Sequence, residues 1–350
     1  MQNSSTSGLA NAQQSAAMFQ AVVSSPAERL TIQRLADTET IDTAAQEVIE
    51  GLTRSPKALP PKFFYDDRGS QLFEQITTLP EYYLTRTETQ ILKTYAAAIA
   101  RTVGPCDLIE LGSGSSTKTR FLLSAYESHR LECRYIPVDV SGGILESSAK
   151  ALLEDYPHLS IHGLVGTYEM ALRSLPVTKR PARLIAFIGS TLGNLAPEQC
   201  QQFLSQVSAA LHPGDYFLLG VDLHKASEPL EAAYNDARGI TAEFNLNMLS
   251  HLNWRFGGNF NLNQFGHRAV YNPDARQIEI YIESLAAQQV YLSALDLSVY
   301  FNQGECLLSE ISRKFELSKL SEQLTTHGFK PVETYTDTAQ WFGLTLSQKQ

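Results

Sequence analysis

Between residues 106 and 222 the chain alternates short apolar runs with longer amphipathic segments, and this rhythm constrains the fold more than any other feature. The runs are CDLIEL, RYIPVDV, LSIHGLVG, RLIAFIGS and DYFLLGVDL. Between them lie KTRFLLSAYESH, GGILESSAKALLEDY, TYEMALRSL and PEQCQQFLSQVSAAL, which read as helices. Apolar strands separated by helices belong to a parallel sheet covered on both faces. The chain ends in FKPVETYTDTAQWFGLTLSQ, two strand-like runs around a polar turn. That pattern predicts an antiparallel hairpin at the sheet edge, preceded by a helix over 314–327.

The rhythm breaks between residues 229 and 313. One long helix, AAYNDARGITAEFNLNMLSHLN, is followed by HRAVYNP, QIEIYIESL, QQVYLS and ECLLSEISRKF with no helix between them. This stretch is expected to form an inserted α+β subdomain whose chain then returns to the main sheet. Residues 28–228 and 314–350 would form the ligand-binding α/β domain, and 229–313 a substrate-binding insertion. Ahead of the sheet, the aromatic-rich segment from residue 60 leads into a helix with Ile91, Leu92, Tyr95 and Ile99 on one face. Residues 1–27 carry no charge and are rich in Ser, Gln, Asn and Ala, as expected of a disordered tail.

In open α/β sheets, ligands bind beyond the carboxyl ends of the strands. The first strand ends in IELGSGSSTKTR, residues 109–120, which nearly fits two motifs. Gly112, Lys118 and Thr119 are spaced as in a phosphate-binding loop, and Gly112 and Gly114 as in a dinucleotide fingerprint. Both motifs ask for glycine at 117, where this chain has Thr117. A phosphate-loop reading would need an acid for Mg²⁺, which Asp222 offers. A dinucleotide reading lacks the third glycine for close helix–sheet packing. S-adenosylmethionine is a third option. It has no phosphate, so it needs only close backbone approach at Gly112 and Gly114, and its cationic centres suit the neighbouring Glu110. Asp139 ends the second strand, where a carboxylate can accept from ribose hydroxyls. The third strand ends in Gly166-Thr167-Tyr168, a place for adenine. The fourth ends in GSTLGN, residues 189–194, a second small-residue turn facing the first.

Composition excludes several classes. The net charge is -9 and no Lys/Arg cluster occurs, which argues against a nucleic-acid partner. No apolar run approaches the ~18 residues of a membrane span, and no secretory leader is visible. Cys106, Cys133, Cys200 and Cys306 are widely separated and form no C-x-x-C, which fits reduced thiols in a cytoplasmic protein. No metal site is expected from them or from the eight histidines.

Taken in order, ELGSGSSTKTR, PVDVSGGIL, FIGSTLGN, YNDARGITAEFNLNML and SEISRKF resemble the L-histidine Nα-methyltransferase family of ergothioneine biosynthesis. PPKFFYDDRGSQLFEQITTLPEYYLTRTE is similar to that family's N-terminal section, so the likeness covers residue 60 to the C-terminus. The resemblance implies a class I (Rossmann-like) methyltransferase sheet using S-adenosyl-L-methionine. It also implies a small amino-acid substrate; the chain is expected to act as a monomer, without a membrane or nucleic-acid partner. The family's cofactor residues correspond to Tyr65, Gly112, Lys118 and Asp139, with Thr167 and Tyr168 beside the adenine; the loop pattern adds Gly114. The family pattern has an acid where Thr167 stands.

The substrate residues it implies are Tyr82 or its neighbour Tyr83, Asn194, Tyr234, Glu310 and Ser312. Asn194 and Tyr234 would hold the α-amino and α-carboxylate groups, and with Tyr82 would orient the reacting amine. Glu310 and Ser312 would grip the imidazole. Ile280 stands where the family has a methionine against that ring. Fungal relatives methylate tryptophan-derived substrates, so an N-methyltransferase for tryptophan or another aromatic amine is the alternative. In a strand, Glu310 and Ser312 share one face, with Leu307 and Ile311 on the other. The competing structural reading is a solvent-facing edge with Glu310 paired to Arg313 or Lys314. Asn194 could likewise be a helix cap, and Tyr234 a packing aromatic on a helix surface.

Overall fold

The computed structural model describes residues 26–35 and 41–350; the expected tail lies almost wholly outside them. The described residues hold fourteen strands. The first seven are β1 (Leu30–Arg34), β2 (Lys57–Ala58), β3 (Cys106–Leu111), β4 (Cys133–Asp139), β5 (Ser160–Val165), β6 (Ala182–Phe187) and β7 (Tyr216–Asp222). Then come β8 (Phe265–Asn272), β9 (Gln277–Ser284), β10 (Gln288–Leu292), β11 (Leu297–Phe301) and β12 (Cys306–Arg313). The chain ends in the hairpin β13 (Phe329–Thr336) and β14 (Phe342–Lys349).

The main sheet runs β1-β5-β4-β3-β6-β7-β14-β13. Its first six strands are parallel, and β14 joins β7 antiparallel. Order reverses at β3, so the crevice beyond β3 is the place where such sheets take ligands. Every residue of β3 is buried, because helices cover both faces. One face carries Leu108, Tyr135, Leu184 and Leu218; the other carries Ile109, Val138, Phe187 and Leu219. The rhythm of the sequence thus becomes the sheet, with β1 added at the edge.

The second sheet, β2-β12-β9-β8, rises over the carboxyl ends of the first. Residues 44–84 share its hydrophobic cluster with residues 230–307, and β2 pairs in parallel with β12. Main-chain bonds tie the two sheets together where Phe315 N donates to Asp222 O at 2.9 Å.

Two local readings are corrected. The long helix expected from residue 232 is two helices, Ser227–Ala232 and Ile240–Phe256. Gly239, at φ 71°, breaks the path, and Asp236 caps the second helix by accepting from Ile240 N (3.0 Å) and Thr241 N (2.8 Å). Tyr234 therefore sits in a buried turn rather than on a helix surface. In β12 a bulge between Leu308 and Glu310 shifts the register against β9. Leu307 pairs with Ile282 and Glu310 with Ile280, so Leu307 lies on the same face as Glu310, not the opposite one.

Candidate active site

At the end of β3 the chain turns through two residues that favour glycine. Gly112 has φ 75° and Gly114 φ 49°. A Cβ on Gly112 would lie 2.8 Å from the Tyr168 hydroxyl, whereas one on Gly114 would meet nothing within 4 Å. The first glycine lets Tyr168 close in, and the second leaves open space at the ligand end of the sheet. Asp139 fixes this loop: its Oδ2 accepts from Gly114 N at 2.8 Å and its Oδ1 from Ser141 N at 2.9 Å. Burial raises the Asp139 carboxyl, with backbone N–H groups opposing the shift.

Glu110 is buried beside the loop, accepts from the Tyr135 hydroxyl, and is pushed up to about 7 by desolvation. Lys118 is held by an ion pair with the fully buried Glu88. Glu88, from the helix Tyr83–Val103, also accepts from Gly189 N at 2.8 and 2.9 Å. One carboxylate therefore bridges the loops that follow β3 and β6. Lys118 is committed to Glu88, and Asp222 to Lys225 and Lys314, which removes the lysine and the acid that a phosphate loop would need.

These loops open into a cleft of about 1900 Å³ between the two sheets, lined by every candidate cofactor and substrate residue named from the sequence except Tyr83. Tyr65 stands edge-on to Phe73 and Phe244. The Tyr82 and Tyr234 rings meet edge to face at 6.0 Å. Burial raises all three phenols, so they stay protonated. Tyr83, the alternative to Tyr82, turns away and donates to Asp222 Oδ2 at 2.7 Å. Asn194 ends a short 3₁₀ turn (Thr191–Asn194). It does not cap the next helix, Pro197–Ala210, whose cap position is Ala196. The Thr167 hydroxyl caps the helix Tyr168–Arg173 by accepting from Met170 N at 3.4 Å.

On the opposite wall Glu310 faces the cleft with no hydrogen-bond or ion-pair partner among the described residues. Desolvation pushes its carboxyl up to about 7, with Lys314 opposing the shift. It is not paired to its sequence neighbours. Arg313 donates to Cys200 Sγ, and Lys314 pairs with Asp222 at 2.9 Å. Ile280 is buried beside it, directly across the β9–β12 ladder. Ser312 Oγ lies 2.8 Å from the Tyr234 hydroxyl. The roles of Glu88 and Lys314 escaped the sequence reading, since their partners Lys118 and Asp222 lie 30 and 92 positions away. One H-x-x-x-H spacing does occur, at His158 and His162, but His162 contacts Gln33 at 3.1 Å. Among the described residues no three metal-ligating side chains gather, and no helix is long and apolar enough to cross a membrane.

Residues 44–349 match the family of histidine-specific, S-adenosylmethionine-dependent methyltransferases. The chain belongs to that family. It is 45% identical over 310 residues to histidine N-alpha-methyltransferase of Mycolicibacterium smegmatis, covering 87% of this chain and 96% of that one. It is 41% identical to the Mycobacterium tuberculosis protein of the same name, over 87% and 94% of the two chains. Ergothioneine biosynthesis protein 1 of Schizosaccharomyces pombe is 29% identical over 89% of this chain and 42% of its own length. The protein is thus an S-adenosylmethionine-dependent methyltransferase of α/β fold with a C-terminal antiparallel hairpin. The site suits that cofactor. Glu110 is a buried and Asp139 a half-buried carboxylate, both lining the cleft, and the space beside Gly114 admits a close approach without a phosphate cradle.

Proposed function

We propose that this methyltransferase acts on the α-amino nitrogen of L-histidine, three times in succession, to give trimethylhistidine. The observation that carries the reading is the unpartnered Glu310 carboxylate in the cleft wall, with Ser312 beside it. Glu310 is half-buried in the cleft wall, and a partly desolvated carboxylate without a protein partner gains by meeting a ligand donor. An imidazole does: its N–H donates to Glu310, and its other nitrogen accepts from the hydroxyl pair of Ser312 and Tyr234. A carboxyl near 7 and an imidazole near 6.5 are also closely matched for sharing a proton.

Tyr65, Gly112, Gly114, Lys118, Asp139, Thr167 and Tyr168 would form the cofactor half of the cleft, and S-adenosylmethionine, when bound, offers an electrophilic methyl on its sulfonium. The substrate amine must be neutral to attack. Tyr82 and Tyr234 are phenols held protonated by burial, so they orient the amine rather than deprotonate it. Asn194, with Tyr234, would fix the amine and carboxylate, and the aliphatic side chain of Ile280 would pack on the imidazole face. Positioning of this kind can supply roughly 7–11 kcal/mol of a barrier. Each added methyl removes an N–H donor, and the facing rings of Tyr82 and Tyr234 then hold the growing cation by cation–π attraction.

The division of the chain into a cofactor domain (28–228 and 314–350) and a substrate insertion (229–313) belongs to this proposal, with residues 44–84 packed into the insertion's core. So do a monomeric state, tested by light scattering, and a cytoplasmic site, in keeping with four unbridged cysteines. The test of the substrate is competition. With S-adenosylhomocysteine present, histidine should bind and phenylalanine should be rejected by ~10⁴-fold, because the polar pair would be left unmatched. Tight binding of tryptophan and not histidine would replace this reading with the aromatic-amine alternative.

A further inference from the structure

Behind the cleft lies a buried charge cluster whose own side chains do not line the cleft but touch two residues that do. Lys314 and Asp222 form an ion pair at 2.9 Å with both side chains at 0% exposure. Asp222 also accepts from Lys225 and from the Tyr83 hydroxyl. The Lys314 ammonium has three N–H groups, and three acceptors surround it: Asp222 Oδ2, Ser312 Oγ at 2.9 Å and the Tyr234 oxygen at 3.4 Å. Its charge also lies 5.1 Å from the Tyr234 ring centroid.

This geometry dictates where a proton goes. Ser312 and Tyr234 bring two hydroxyl protons to their 2.8 Å contact, which uses one. Lys314 can only donate, so it occupies a lone pair on each oxygen and takes neither proton. No third partner for either hydroxyl exists among the described residues. The remaining proton has one direction left, into the cleft that both residues line.

We infer that Lys314, anchored by Asp222, is a positioning residue that forces the Ser312–Tyr234 pair to present a hydrogen-bond donor to the substrate. This rests on the reading of the site as an amino-acid pocket and deepens it. With Glu310 as an acceptor on the same wall, the pocket is matched to a ring carrying one N–H and one bare nitrogen. Loss of Lys314 frees two lone pairs, so the hydroxyl pair can turn either way and the complementarity is lost. Asp222 keeps Lys225 and Tyr83, so removal of Lys314 does not strand its charge.

The test is a double-mutant cycle on the full chain with Lys314→Met, Lys314→Gln, Ser312→Ala and Lys314→Met/Ser312→Ala. Calorimetry with S-adenosylhomocysteine alone reads the cofactor half, and histidine titrated into that complex reads the substrate half. Lys314→Met should leave cofactor affinity within about twofold and weaken histidine roughly tenfold or more. The double variant should be no weaker than Ser312→Ala by more than about threefold, because the two side chains act as one unit. The acid limb of kcat/KM should also move to higher pH in Lys314→Met, since Glu310 loses its cation while keeping Tyr65, Tyr82 and Tyr234 around it. Unchanged histidine affinity overturns the inference, as do effects that multiply in the double variant. So does an equal loss of cofactor affinity in both Lys314 variants, which would mark a role in holding the fold. Wild-type binding is the separate check on the substrate: if another amino acid binds in place of histidine, the cycle is run with that ligand.

Discussion

Glu310→Gln separates what the site needs from what the fold prefers. In the folded chain the carboxyl stands at about 7 against an ordinary value of 4.5, through desolvation. The shift is upward, so the neutral form is the one the fold favours. Below pH 4.5 folded and unfolded states are both protonated and the site costs nothing. As pH rises from 4.5 to 7 the unfolded state ionises first and stability falls, and above 7 the loss is complete. At 1.36 kcal/mol per unit, the full cost is about 3 kcal/mol. Glutamine has nearly the same shape and never ionises. Urea titrations at pH 5 and pH 8.5 should therefore show the variant gaining about 2–3 kcal/mol over wild type between the two conditions. The same variant should bind histidine worse at pH 8.5, since a charge-assisted hydrogen bond becomes a neutral one about half as strong. That is a loss of ~1.5 kcal/mol, or roughly tenfold by calorimetry. A variant with undiminished histidine affinity, or a stability difference that does not grow with pH, would refute the placement of Glu310 as a desolvated carboxylate awaiting a partner.

Other perturbations follow from the same geometry. Gly112→Ala puts a methyl 2.8 Å from the Tyr168 hydroxyl at φ 75°, so S-adenosylhomocysteine affinity should fall at least tenfold by calorimetry while histidine-site residues stay in place. Glu88→Ala strips Lys118 and Gly189 of their shared partner and leaves the lysine uncompensated, which should cost about 3–5 kcal/mol in urea unfolding along with cofactor affinity. Asp236→Ala removes the cap that starts the helix Ile240–Phe256, and should lower stability by about 1 kcal/mol in the same assay. For wild type, kcat/KM with histidine should show an inflection near pH 7 as Glu310 ionises among Tyr65, Tyr82, Tyr234 and Lys314; Glu310→Gln should remove that inflection and leave only the rise set by deprotonation of the substrate amine.

The parallel sheet was readable because β3 to β7 are buried on both faces, which leaves runs such as LIAF without a polar residue. β1 was not readable. It is an edge strand of five residues, LTIQR, half exposed and with only two apolar residues, too short an alternation to stand out. Two-residue β2 has no pattern at all; its partner β12 lies some 250 residues away. The break at Asn235–Gly239 was hidden because an asparagine, an aspartate and an arginine can all sit in a helix, and the decisive facts are the φ of Gly239 and the Asp236 cap. The site was legible in part. Gly112 and Gly114 announced themselves through the backbone freedom that a close approach requires, and Asp139 through its place at a strand end. Glu310 and Ser312 carried no local signal and rested on family likeness. The residues that arrange them left none either: Lys118 looked like a phosphate lysine until its partner Glu88, thirty positions earlier, was located. Lys314 looked like a surface neighbour of Glu310 until the fold brought Asp222 against it.

The central claim is that this cleft methylates the α-nitrogen of histidine. Purified protein incubated with S-adenosylmethionine and an equimolar panel of amino acids, read by mass, tests it most directly. Histidine should gain up to three methyl groups, all on the α-nitrogen, while phenylalanine and tryptophan gain none. Methylation of another amino acid with histidine untouched, or methyl groups on the imidazole ring, would contradict it.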